Sequence, residues 1–176
     1  VKDAVGNHGC GYCPQGEFSL AGAAHCSLCP WGRFQDRPGQ DSCMECLPGT
    51  YSGNGSAVCA DCSWGTYAQN PGMSDCVDCP SGFIAAATGL AACTQCAAGR
   101  VSSEDHIQCE NCPAGEFSAR GGLSACSQCS AGRWSAGPGE SECPLCVAGR
   151  AGPGDGPCED CPVGTYSETA GASACP

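Results

Sequence analysis

The chain has 176 residues, among them 21 Cys, 27 Gly and 13 Pro, and a formal net charge of -11. Leu, Ile, Val and Phe together number 19, about 11% of the chain, too few for apolar burial alone to offset the entropy of ordering it. With 7 basic residues, the broad basic face of a nucleic-acid binder is excluded and attraction to anionic membranes is disfavoured, while no run of 18 apolar residues is present to insert into a bilayer.

Residues 1–9 are an irregular leader, "VKDAVGNHG", without the apolar stretch of a signal peptide. A secreted form has either lost its signal or carries it elsewhere. From residue 10 to 176 the chain is a tandem array. C-x-x-C pairs open at residues 10, 26, 43, 59, 76, 93, 109, 126, 143 and 158, with a partial copy from Cys175, in steps of 15 to 17 residues. Three residues after the second cysteine of every pair stands a glycine: Gly16, Gly32, Gly49, Gly65, Gly82, Gly99, Gly115, Gly132, Gly149 and Gly164. That offset suits a turn of positive φ, which costs other residues steric energy.

Two residues beyond the glycine, the first four copies carry Phe18, Phe34, Tyr51 and Tyr67. Copy five moves its ring one place early, to Phe83, and has Ile84 in the ring position. Copy six, "CAAGRVSSEDHIQC", has Val101 there; copies seven, eight and ten have Phe117, Trp134 and Tyr166. Copy nine, "CVAGRAGPGDGPC", is short and has Ala151. The ringless copies six and nine are expected to be the weakest or most bent joints. A ring over each bridge would supply the only sizeable apolar contact of a copy. A second glycine in most copies turns the chain back, and segments such as "EFS", "TYS" and "RWS" are strands of two or three residues. The predicted fold class is a small disulfide-rich repeat array, an elongated rod of about ten 16–17-residue loop and β-hairpin modules with almost no helix. Each copy would contact only its neighbours, advancing roughly 10 Å, so that the array spans about 100 Å.

Three uses of the cysteines compete. C-x-x-C redox catalysis needs a βαβ setting and a lowered thiol pKa at a helix start, which ten look-alike pairs do not provide. Zinc in four-cysteine sites would consume twenty cysteines, against an acidic chain with an unbroken period. Disulfides in an oxidising compartment fit the composition best, and no cofactor is expected. One pairing rule joins the second cysteine of each pair to the first of the next: Cys13–Cys26, Cys29–Cys43, Cys46–Cys59, Cys62–Cys76, Cys79–Cys93, Cys96–Cys109, Cys112–Cys126, Cys129–Cys143, Cys146–Cys158 and Cys161–Cys175, with Cys10 unpaired or intermolecular. An interlocked rule joins Cys10–Cys26 and Cys13–Cys29 and restarts at Cys43. It implies a doubled period near 33 residues that neither the glycines nor the rings display, yet spacing leaves both rules open. Under either, the odd cysteine points to a longer array or to a second chain.

The stretches "CPQGEFSLAGAAHCSLC", "CPAGEFSARGGLSACSQC" and "CPVGTYSETAGASAC" resemble the ephrin-receptor-like cysteine-rich repeat and are similar to the A-type module of tumour necrosis factor receptors. The resemblance runs from Cys10 to Cys175. It implies an extracellular or cell-surface location, stacked small loops and the sequential pairing. It fixes architecture better than function.

His8, His25 and His106 occupy unlike positions of the repeat and are expected to be solvated loop residues. Glu45, Asp61, Asp78 and Asp160 each precede the second cysteine of a pair. A row of calcium sites is one reading, and caps on turn N–H groups or plain solubility the other, the latter favoured because no dense set of oxygen ligands appears. "NGS" at Asn54 is an N-glycosylation sequon and should lie on an exposed loop. Trp31 and Trp64 stand two residues after a cysteine pair, outside the ring position. Packing against a neighbouring copy is the plainer account of both, and partner contact the other. The function expected is that of a non-enzymatic extracellular structural protein, a stalk or fibre component that is glycosylated; the alternative is a ligand-binding, receptor-type ectodomain. Partners expected are other protein chains, copies of itself end to end or side by side, and glycans, with no nucleic acid and no direct membrane insertion.

Overall fold

A computed structural model describes residues 11–176; the leader, His8 and Cys10 lie outside the described residues. Among those residues there is no helix, and none is long and apolar enough to cross a membrane. Ten disulfides join Cys13–Cys26, Cys29–Cys43, Cys46–Cys59, Cys62–Cys76, Cys79–Cys93, Cys96–Cys109, Cys112–Cys126, Cys129–Cys143, Cys146–Cys158 and Cys161–Cys175. Each closes one loop, numbered one to ten below. The chain forms two compact units: the first reaches Cys79 and takes in Ala85–Cys93, and the second comprises Pro80–Ile84 and Thr94–Pro176.

In the first unit, every loop opens with a tight turn. The N–H of Glu17, Arg33, Thr50 and Thr66 donates to the carbonyl of Pro14, Pro30, Leu47 and Ser63 at 3.0–3.2 Å. The third residue of each turn is the glycine, with φ between 76° and 88°, as a type II turn requires. The strand leaving the turn pairs antiparallel with the two residues inside the next C-x-x-C. The hairpins are β1 (Glu17–Phe18) with β2 (Ser27–Leu28), β3 (Arg33–Phe34) with β4 (Met44–Glu45), β5 (Thr50–Tyr51) with β6 (Ala60–Asp61), and β7 (Thr66–Tyr67) with β8 (Val77–Asp78). An isolated two-stranded hairpin is marginal in water, so the sulfur bridge beside each one is what holds it closed.

Successive loops are joined by main-chain bonds. The turn glycine donates forward: Gly16 to Gln35 O, Gly32 to Ser52 O and Gly49 to Ala68 O, each 2.8 Å, and Gly65 to Ala85 O at 3.0 Å. The second glycine donates backward: Gly39 to Cys13 O, Gly55 to Cys29 O and Gly72 to Cys46 O at 2.8 Å, and Gly89 to Cys62 O at 2.9 Å. The acceptors of the forward bonds, Gln35, Ser52, Ala68 and Ala85, are buried, as are Cys13, Cys29, Cys46, Cys62 and Cys79. Phe18, Phe34, Tyr51 and Tyr67 are only half-buried. The sealed interior is therefore sulfur and small side chains, with the rings at its margin. The expectation that a copy touches only its neighbours is also corrected. A Cβ on Gly32 would overlap the Gly72 carbonyl oxygen, and one on Gly16 that of Gly55, two loops further on.

The second unit repeats this scheme with β9 (Phe83–Ile84) and β10 (Thr94–Gln95), β11 (Arg100–Ser102) and β12 (Cys109–Asn111), β13 (Glu116–Phe117) and β14 (Ser127–Gln128), and β15 (Arg150–Ala151) and β16 (Glu159–Asp160). In loop eight a single bridge, Arg133 with Leu145, takes the place of a hairpin. Forward bonds run from Gly99 to Ser118 O, Gly115 to Ser135 O, Gly132 to Gly152 O and Gly149 to Ser167 O at 2.8–2.9 Å. The two ringless copies depart locally. In loop six Asp105 stands four residues before the closing cysteine, where every other described loop has glycine, and the left-handed turn moves to His106, φ 56°. Gly154 fills that place in the shortened loop nine, and the indole of Trp134 covers Gly115, whose Cβ would meet it at 2.5 Å.

Candidate interaction surface

Hairpins of two-residue strands have no inner and outer face in the usual sense. Both residues between the cysteines of a pair are exposed in β2, β4, β6 and β8. That geometry puts Leu28, Met44 and Val77 in solvent, together with Leu47 and Val58 from the loops. Trp31 and Trp64 occupy the second position of the turns Pro30–Arg33 and Ser63–Thr66, the outer corner of a type II turn. They are 65% and 53% exposed, so plain packing against a neighbouring copy does not account for most of either surface. In loops five to eight the same corner carries Ser81, Ala98, Ala114 and Ala131. The indole corners of loops two and four are thus a local feature laid over a uniform scaffold.

Trp31 does make one contact. Its Cζ3 lies 3.6 Å from where a Cβ on Gly53 would sit. Leu28 Cδ2 lies 2.9 Å from the equivalent point on Gly55. Asn54, between those glycines, is exposed in a turn.

The acidic residues do not cap turns. Glu45 accepts from Arg33 Nη2 at 2.5 Å and Asp160 from Arg150 Nε at 2.7 Å, both directly across a hairpin. These are exposed pairs, worth up to about 1 kcal/mol each. Asp61 and Asp78 face Thr50 and Thr66 in the equivalent register. No group of three His, Cys, Asp or Glu is placed to hold a metal among the described residues, and the twenty described cysteines are all bonded to one another. His25 is exposed. His106 is not simply solvated: its Nδ1 is buried without a hydrogen-bond partner. Beside it, Asp105 accepts from Ser103 Oγ at 2.5 Å and from the Ile107 N–H at 3.2 Å. These bonds, the serine's first, hold its carboxyl below the ordinary value of 3.8.

The buried residue following each ring was not singled out in the sequence. Its signal was there: Ser19, Gln35, Ser52, Ala68, Ala85, Ser102, Ser118, Ser135, Gly152 and Ser167 stand six residues after a cysteine, all but Gln35 small and all but Ser19 and Ser102 buried. Gln35 fits because its amide donates to Ser42 O at 2.7 Å and accepts from Arg37 N–H at 3.1 Å.

The family described as tyrosine-protein kinase ephrin type A/B receptor-like matches residues 16–51 and 49–96. Over residues 16–96 the chain carries ephrin-receptor-like cysteine-rich repeats. The matched residues hold loops one to five almost entire, and the same glycine and bridge spacing continues through Cys161–Cys175. Repeats of this family are extracellular modules and not catalytic ones. No curated protein matches the chain.

Proposed function

We propose that these ephrin-receptor-like repeats serve as a non-enzymatic structural element, a stalk or fibre component of an extracellular or cell-surface assembly. The observation that carries this reading is the recurrence of the same two main-chain bonds between successive loops of each unit, forward from the turn glycine and back from the second glycine. Stacking made of backbone bonds and closed by disulfides does not depend on which side chains a copy carries, so copies can be added without redesign. The formal charge of -11 keeps such surfaces in solution. Partners are other protein chains, including copies of this one end to end or side by side, with Cys10 available to this reading as an intermolecular link.

A ligand-binding ectodomain is the second reading, favoured by the exposed indoles of Trp31 and Trp64, since aromatic anchors dominate many binding surfaces. Electron microscopy of the secreted, purified protein with and without reductant separates the two. Filaments or lateral bundles that fall apart on reduction support assembly. Isolated particles, each holding one bound protein that Trp31→Ala and Trp64→Ala release, support the receptor and refute the fibre.

A further inference from the structure

The turn at Asn54 differs from its counterparts. The residue before the second glycine is Pro38, Pro71, Pro138 or Pro153 in four loops and Ala21, Thr88, Gly121 or Ala170 in others, while in loop six Glu104 precedes Asp105. Only in loop three is it an asparagine, followed by glycine and serine. Asn54 is exposed, while its turn is pinned to loop two. Gly55 N–H donates to Cys29 O at 2.8 Å, and Ser56 O accepts from Gln35 N–H at 3.2 Å. On either side of Asn54 stands a glycine, and each glycine faces an exposed apolar group, one in loop two and one in β2 just before it. Trp31 lies against Gly53 and Leu28 against Gly55, and both keep half or more of their surface in water, 65% and 51%. A side chain at Gly53 would meet the indole and one at Gly55 the Leu28 methyls. Their absence leaves ring and methyl groups bordering the turn that carries Asn54.

We propose that Asn54 carries an N-linked glycan whose first N-acetylglucosamine lies on the Trp31 indole, with Leu28 at its edge. The apolar C–H face of a pyranose suits an aromatic face, and covering Trp31 removes apolar surface from water. In the transfer, Asn54 Nδ2 attacks the anomeric carbon of a lipid-pyrophosphate-linked oligosaccharide. The C–N bond forms, the C–O bond to the pyrophosphate breaks, and the amide proton passes to the transferase. In the folded turn Ser56 Oγ donates to Gly53 O at 2.9 Å, a single hydrogen bond of modest net worth that the sequon hydroxyl gives up on recognition. The inference rests on the extracellular reading, because only a chain entering the secretory pathway meets this transferase.

The test expresses the chain behind a cleavable signal in a glycosylating eukaryotic host. Intact and peptide mass spectrometry are run before and after amidase release of N-glycans, for the parent chain and for Asn54→Gln, Ser56→Ala and Ser56→Thr. The expected result is a glycan on the Asn54 peptide, lost in the first two variants and kept in the third. A secreted, fully bridged protein with bare Asn54 overturns the site and leaves the extracellular reading intact. Failure to leave the cell, with free thiols, overturns both. For the stacking, acrylamide quenching of tryptophan is compared before and after enzymatic removal of the glycan from the folded protein. Quenching should rise in the parent chain and stay unchanged in Trp31→Ala. An equal rise in both, or none in the parent, overturns the contact.

Discussion

Gly32 and Gly149 hold the same place in their loops, and alanine at each isolates what stacking two loops apart contributes. Their backbones are nearly alike, with φ of 78° and 83°, and each N–H donates to the next loop, to Ser52 O at 2.8 Å and Ser167 O at 2.9 Å. The left-handed conformation costs alanine roughly 1–2 kcal/mol at either position. A Cβ on Gly149 meets nothing within 4 Å, whereas one on Gly32 overlaps the Gly72 carbonyl oxygen and comes within 2.5 Å of its carbon. Non-bonded carbons rest at about 3.5–4.0 Å, so the Gly72 turn must retreat by about 1 Å. Two bonds hold that turn, Gly72 N–H to Cys46 O at 2.8 Å and Ser52 N–H to Met73 O at 3.3 Å. Weakening both, at roughly 0.5–1.5 kcal/mol each, makes Gly32→Ala costlier than Gly149→Ala by about 1–3 kcal/mol. Amide hydrogen exchange of the oxidised protein measures this locally. The Gly72 and Ser52 amides should lose about ten- to a hundredfold of protection in Gly32→Ala, at 1.4 kcal/mol per factor of ten. Equal local destabilisation by the two variants would refute the reasoning, because strain at φ alone would then account for both.

Ser135 is fully buried, its Oγ accepting from Gly115 N–H at 2.9 Å and donating to Glu116 O at 3.0 Å. Ser135→Ala should cost about 1 kcal/mol, measured by denaturant unfolding of the oxidised protein, since Gly115 keeps its bond to Ser135 O while the Glu116 carbonyl loses its side-chain donor. Replacing Cys62 and Cys76 together by alanine removes a loop closure worth about 3 kcal/mol in the chain-entropy model. Limited proteolysis should then cut between those positions and leave the other loops intact. The Asp105 carboxyl is held below its ordinary 3.8 by Ser103 and Ile107. Its contribution to loop six is thus present above that value and is lost as pH falls through the lower, folded one. The Ile107 amide resonance should titrate only in that acidic window, and Asp105→Asn should abolish the transition.

The fold class was legible because the positions that create it cannot be disguised. A turn of positive φ selects glycine, and a chain without an oily core must mark its staples with cysteine, so Gly16 to Gly164 and the C-x-x-C pairs state the module outright. The ring position was legible as a pattern, yet its weight was overestimated. Tyr51 and Phe34 look like a core from composition, while the backbone places Ser52 and Gln35 inside. A small polar residue next to an aromatic one carries no local sign that its carbonyl receives a neighbouring loop. The acids were misplaced for a similar reason. Whether Glu45 reaches a turn N–H or Arg33 depends on hairpin register, which two-residue strands do not announce.

By itself the sequence determined the period, the glycine turns and the need for covalent closure, since each follows from constraints a residue meets with its immediate neighbours in the chain. Only the tertiary structure decided that the turn glycines also make room for a carbonyl two loops away. It alone decided that Trp31 and Leu28 lie against the glycines on either side of Asn54, and that Asp105 and His106 rebuild a turn without glycine. Apart from the local turn at His106, those are contacts between residues twenty to forty positions apart. Their geometry is set by how one loop rests on the next, and that the one-dimensional pattern does not encode.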